Sequence, residues 1–158
     1  MKKSIFNYAF MIIGLMTLLL FSFTIVYDEK KDEQDVRNLV NKIFTIAGQQ
    51  DMKTVESFHL KSPKFSKWDD QYPDIMDYDQ NTVNEKEAFS ALKNFTFQIP
   101  INKVSIWGKT AIAAFLIHGD ATVNGNPLHF SARGTLVFVK EHGQWKIVHE
   151  HFSPYTKQ

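Results

Sequence analysis

The run Val148-His149-Glu150-His151-Phe152 gathers the side chains best suited to chemistry into one short segment. Glu150 lies among apolar neighbours, where burial raises a carboxyl pKa and makes a general base. Such a base needs a preorganised donor facing the same site, for which Tyr72, Tyr78 and Asp120 are available. The alternative is a glutamate paired with Lys146, Lys140 or another cation at the sheet edge. His149 and His151 share one side of a strand, a spacing that some zinc sites use, but no motif supplies a third ligand. The pair reads as structural, and no metal or other cofactor is expected. Arg133 can hold a carboxylate or phosphate, or pair with an acid of a partner subunit. Two other patterns fail on inspection. Asp77-Tyr78-Asp79-Gln80-Asn81 opens like a calcium loop, but Thr82 replaces the required glycine and Ala88 the closing glutamate. Asn94-Phe95-Thr96 matches a glycosylation sequon, yet it begins a strand.

The elements that must position these residues are legible from periodicity and punctuation. Val36, Leu39, Val40, Ile43, Phe44 and Ala47 predict an amphipathic helix over 29–47, closed by Gly48. Asp51 can cap a short second helix carrying Met52, Val55 and Phe58. Residues 64–80 read as an irregular aromatic loop. Thr82 and Glu85 fit a capping box, which predicts a third helix to about Lys93. Strands follow over 95–106, 110–123, 128–140 and 145–152. Pro100 marks the first as an edge or bulged strand, and Asn124-Gly125 makes a tight hairpin. The fold class is therefore α+β: about three N-terminal helices packed on an antiparallel sheet.

The last hairpin can be read to the residue. Glu141-His142-Gly143 suits a three-residue loop, which opposes Thr135 to His149 and Arg133 to His151. One face then carries Arg133, Thr135, Val137, Val139, Trp145, Ile147, His149 and His151. The other carries Leu136, Phe138, Val148, Glu150 and Phe152. With both faces substantially apolar, one is expected to meet a second copy of the chain, giving a homodimer.

Composition sets the remaining bounds. The 158 residues carry 18 basic and 17 acidic side chains and no cysteine. Only Arg37 and Arg133 are arginines, so the chain has no electrostatic footprint for nucleic acid. The lack of cysteine excludes disulfide scaffolds, thiolate metal sites and cysteine catalysis. Ser4 to Tyr27 holds no charge, and residues 5–26 would form a helix of roughly 33 Å, enough to cross a bilayer. Lys2 and Lys3 precede that stretch, which puts the N-terminus in the cytoplasm and the rest outside. Residues 1–27 are thus expected to be a single-pass anchor or an uncleaved signal, and 28–158 one extracytoplasmic domain. Secretion after signal cleavage is the alternative.

The segment Arg133 to Tyr155, RGTLVFVKEHGQWKIVHEHFSPY, resembles the closing hairpin of the SnoaL-like, nuclear-transport-factor-two-like superfamily. Thr135, Phe138, Gly143, Trp145, Val148, His149, His151 and Ser153 carry the likeness. It is nearest to the branch of calcium/calmodulin-dependent kinase association domains. The resemblance implies a cone-shaped α+β domain with a pocket between the sheet and the long first helix, usually as a dimer. In the kinase branch arginines line that pocket, one directly after the H-x-H pair; here Phe152 and Leu136 stand at the matching positions. The resemblance thereby implies an apolar pocket containing Glu150. The ligand-binding candidates are Arg133, Leu136, Phe138, His149, His151 and Phe152. Members include isomerases, hydratases, cyclases and scaffolds, so the fold alone assigns no activity. The expected function is a membrane-anchored dimeric module that binds a small apolar or weakly acidic ligand, or a protein partner, without catalysis. The alternatives are an isomerase, hydratase or cyclase with Glu150 as base, and an envelope or secretion scaffold, since a type IV secretion scaffold family also joins one span to such a domain.

Overall fold

Asp28 opens the described part of the chain by accepting a hydrogen bond from the Lys31 amide at 3.0 Å. The computed structural model describes residues 28–156; the apolar stretch 5–26 lies outside them. Among the described residues no helix is long and apolar enough to cross a membrane.

Helix α1 (Glu29–Gly48) buries Val36, Val40, Ile43, Phe44 and Ala47 along the stripe that its spacing predicts. Each full burial of such an aliphatic or aromatic side chain stabilises by roughly 1.5–3 kcal/mol. Helix α2 (Met52–Ser57) is capped by Asp51 as expected, with Thr54 N–H donating at 3.1 Å. Helix α3 (Tyr78–Ala91) begins a turn earlier than the sequence reading places it. Asp77, not Thr82, is its N-cap, in a reciprocal box with Gln80. Thr82 instead donates its hydroxyl to the Tyr78 carbonyl, and Glu85 is left on the buried face. The run 77–81 is therefore the capped first turn of a helix.

The five strands are β1 (Ser66–Asp69), β2 (Lys93–Trp107), β3 (Thr110–Val123), β4 (Asn126–Glu141) and β5 (Gln144–Pro154). They form one sheet in the order β1-β5-β4-β3-β2. Neighbours are antiparallel except β1, which runs parallel to β5 and pairs Lys67 with Glu150. Strand β1 comes from the segment read as irregular, because four residues are too few to show a period. Strand β2 is an edge, with a register shift spanning Pro100, as the proline requires.

The closing hairpin departs from the predicted register. Glu141 pairs with Gln144, so the loop is two residues, and His142 and Gly143 both take positive φ, at 48° and 79°. Further along, the pairing shifts between Phe138 and Val137, and Val148 is the extra residue of a bulge. Thr135 therefore opposes His151, and Arg133 opposes Ser153. The bulge also changes which side chains share a face. Trp145 and Ile147 join Leu136, Phe138, Glu150 and Phe152 on the side that packs against the helices, and all but the half-buried Phe152 are buried there.

The core fills the space between α1 and this concave face. The Phe44 ring lies 5.7 Å from Phe97, 5.7 Å from Phe115 and 6.4 Å from Phe152. Phe115 can lie flat over β4 because Gly134 is there; a Cβ at that position would sit 2.3 Å from the ring.

Candidate functional site

Four ionisable side chains from four segments meet beneath this core. Glu150 is supplied by β5, just past the bulge. Lys67 stands beside it on β1, whose other edge is tied to Met76 by two backbone hydrogen bonds of 3.0 Å. His59 follows α2 and is clamped to β5: Ile147 N–H donates to Phe58 and Leu60 N–H to Ile147, at 2.9 and 2.8 Å. Glu85 enters from the buried face of α3. All four are at most 7% exposed.

The geometry decides the charges. His59 Nδ1 lies 3.1 Å from the Val55 carbonyl, which only accepts, so Nδ1 carries a proton. Its Nε2 lies 2.8 Å from Glu150 Oε1 and 3.6 Å from Glu85 Oε1. Lys67 Nζ lies 3.3 Å from Glu150 Oε2 and 3.8 Å from Glu85 Oε1. Burial alone would raise the Glu150 carboxyl, but Lys67 and His59 hold it down to about 2. Burial also works to lower His59, yet the charge and hydrogen bond of Glu150, with Glu85 behind them, lift it to about 9. Lys67 is raised in the same way, its desolvation outweighed by Glu150 and Glu85. Glu85 has only the longer contacts. Burial, helped by the Glu150 charge, pushes it up to about 7 against the pull of His59 and Lys67.

Above the cluster is a cavity of about 160 Å³. Its walls are Ile43 and Phe44 of α1, Ala88 and Phe89 of α3, and Phe95, Ile117, Phe130, Leu136 and Phe152 of the sheet. Lys67, Glu85 and Glu150 form its polar end, with Asp69 and Asn84 also on the wall. This volume suits one six-membered ring with a small substituent, since a comparable 150 Å³ apolar cavity accepts benzene. One oxygen or nitrogen each from His59, Glu85 and Glu150 lies within 4.8 Å of the others, close enough to be tested as metal ligands. Lys67 sits against both carboxylates, however, and the His59 Nε2 that a metal would need faces Glu150 as a donor. The cation position is filled by the lysine, and the donor set does not fit a metal.

The residues singled out from the sequence divide between the two faces of the sheet. Glu150, Leu136 and Phe152 line the cavity, whereas Phe138 is fully buried in the core beside it. Arg133, His149 and His151 do not line it. Arg133 is exposed and lies 4.8 Å over the Tyr155 ring, and His149 Nδ1 bonds Ser66 Oγ at 2.8 Å on the outer face. Glu150 pairs with His59 and Lys67, not with Lys140 or Lys146. Lys140 pairs instead with Asp32 at the start of α1, and Lys146 donates to the Ser57 carbonyl at 2.6 Å. His59, Lys67 and Glu85 escape sequence reading. The one available signal is that the inward positions of α3, Tyr78, Asn81 and Glu85, are polar where a core helix should be apolar.

The cavity between α1, α3 and a curved sheet is where the pattern of a known family applies. The SnoaL-like domain pattern matches residues 36–157. The chain belongs to the SnoaL-like domain family. Solved structures agree on the fold. A nuclear transport factor 2-like superfamily protein from Salmonella enterica superposes with TM-score 0.73 at 20% identity, covering 82% of this chain and 94% of that one. A putative dehydratase of the same family from Streptomyces avermitilis gives 0.73 at 17% identity, covering 81% and 99%. The association domain of the C. elegans kinase CaMKII gives 0.66 at 18% identity, covering 79% and 97%. At these identities the SnoaL-like chain shares the fold of its neighbours. No curated protein matches it.

Proposed function

We propose that this SnoaL-like domain is a non-catalytic binding module that holds a small, largely apolar ligand with an acidic end. In this reading the domain is dimeric and stands outside the cytoplasm on the anchor formed by residues 5–26. The observation that carries the reading is the cavity: about 160 Å³, walled by five phenylalanines, with Lys67, Glu85 and Glu150 on its lining. Glu150 is a poor general base there, because two cations hold it ionised down to about pH 2. That argues against the isomerase-type alternative built on Glu150. The scaffold alternative draws on the association-domain neighbour, whose likeness is one of fold.

The test is a titration of toluene into the protein, followed through the methyl resonances of Ile43, Ile117 and Leu136. Saturable shifts at these three methyls, with others unmoved, are the expected result. Unmoved methyls at these positions, or uniform small drifts over the whole domain, would refute the binding reading.

A further inference from the structure

The charge count of the cluster is unbalanced in one protonation state and balanced in the other. His59 and Lys67 supply two positive charges, and Glu150 supplies one negative charge. Glu150 takes the short contacts, 2.8 Å to His59 and 3.3 Å to Lys67, and leaves Glu85 the long ones, 3.6 and 3.8 Å. Glu85 is therefore the carboxyl that holds a proton when the site must lose a negative charge. With Glu85 neutral, the buried cluster carries one net positive charge at the cavity, faced there by the half-buried Asp69; a buried charge without a close partner is costly. A ligand with a single negative charge removes that cost.

From this arrangement we propose that the cavity takes a small monocarboxylate at its Lys67 end, and that Glu85 takes up one proton as the ligand enters. The proposal rests on the ligand-binding reading above and names the ligand class and its coupling. The charged groups facing Glu85 are His59 from the segment after α2, Lys67 and Asp69 from β1, and Glu150 from β5. Asp69 is half-buried, its Oδ1 accepts from the Gln71 amide at 3.1 Å, and its charge also acts on Lys67. Strands β2, β3 and β4 and helix α1 present only apolar side chains to the cavity, and α3 adds Asn84. Glu85 also borders a second cleft, between α2 and α3, with Lys53, Glu56 and Lys86. Glu85 thus lines both compartments. Asn81, one turn before Glu85, hydrogen-bonds its carboxyl, while the Asn81 Oδ1 is buried without a partner. An amide rotation would let that oxygen accept from a protonated Glu85.

The experiment is isothermal titration of the full-length chain in detergent with benzoate and, separately, toluene. It is run at pH 5.5, 7 and 8 in buffers of different ionisation enthalpy. Benzoate should bind with uptake of about one proton at pH 8 and close to none at pH 5.5. Its affinity should fall about fivefold from pH 7 to pH 8, approaching the tenfold-per-unit limit for one linked proton only at higher pH. Toluene should bind with no proton uptake. In Glu85→Gln the benzoate affinity should be flat with pH. Carboxyl carbon resonances of the unaltered protein give a second reading, because the Glu85 titration should move upward when benzoate is bound. Benzoate binding without proton uptake at pH 8 would overturn the proposal, as would uptake that persists in Glu85→Gln. Binding of toluene alone would overturn it while leaving the cavity reading intact, and binding of neither would remove both.

Discussion

At the residue scale the domain carries a buried four-membered charge cluster whose members depend on one another. Removing one partner leaves an uncompensated buried charge, which costs about 3–5 kcal/mol. His59→Leu is therefore expected to destabilise by that amount, read from urea denaturation. Stability should also depend on pH in a definite direction. Glu150 is depressed from 4.5 to about 2, so its contribution is present above pH 4.5 and lost as pH falls through 2. His59 is raised from 6.5 to about 9, so its contribution is complete below 6.5 and lost as pH rises through 9. Glu85 is raised from 4.5 to about 7, and its contribution is lost as pH rises from 4.5 through 7. The stability should peak near pH 5 and fall towards pH 9 by on the order of 3 kcal/mol for each of the last two groups, and the melting temperature should follow it. Glu85→Gln should flatten the stretch from 4.5 to 7 and, because the Glu85 charge helps raise His59, end the later decline at a lower pH. A melting temperature that rises from pH 5 to pH 9 would contradict these assignments.

At the element scale the sheet is shaped by a few positions with no substitute. Gly134 lies under the Phe115 ring, and Gly119 stands in the same relation to Phe130. Gly134→Val should cost at least the 1–3 kcal/mol of an overpacked core, visible as a lower urea midpoint. An unchanged midpoint would mean that β4 is not held against Phe115. The order of the three helices and of β2 to β5, the α1 stripe and the Asp51 cap were legible because each rests on a local period or a local hydrogen bond, whereas β1 was not. The hairpin register was not. A bulge at Val148 leaves no trace in alternation, yet it moves Trp145 and Ile147 to the face of Glu150. The cluster was legible at one position of its four. Glu150 stood out mid-strand, whereas His59, Lys67 and Glu85 become its partners only through the parallel pairing of β1 and the early start of α3.

At the scale of the whole molecule, the outer face of the sheet and the concave face have different roles. The outer face carries Ile101, 58% exposed, directly paired with Leu116, and the half-buried pair Ile112 and Val137. This apolar row supports the proposed homodimer. Sedimentation of residues 28–158 should give twice the chain mass, and Ile101→Glu with Leu116→Glu should give the single mass. A monomeric unaltered domain at tens of micromolar would refute the dimer. The proposed anchor predicts that the full chain, expressed in bacteria, stays with membranes on alkaline extraction. Its domain should also be cut by protease added outside the inner membrane; protection there would contradict the orientation.

The concave cavity remains the centre of the account, and its most direct test uses the wall residue Ala88, exposed on α3. Replacing it with tryptophan places a bulky ring across the cavity while leaving the buried cluster untouched. Calorimetric titration with toluene should show one saturable site per chain in the unaltered protein and none in Ala88→Trp, with equal melting temperatures. Equal binding by both proteins, or binding by neither, would contradict the claim that this cavity is the ligand site.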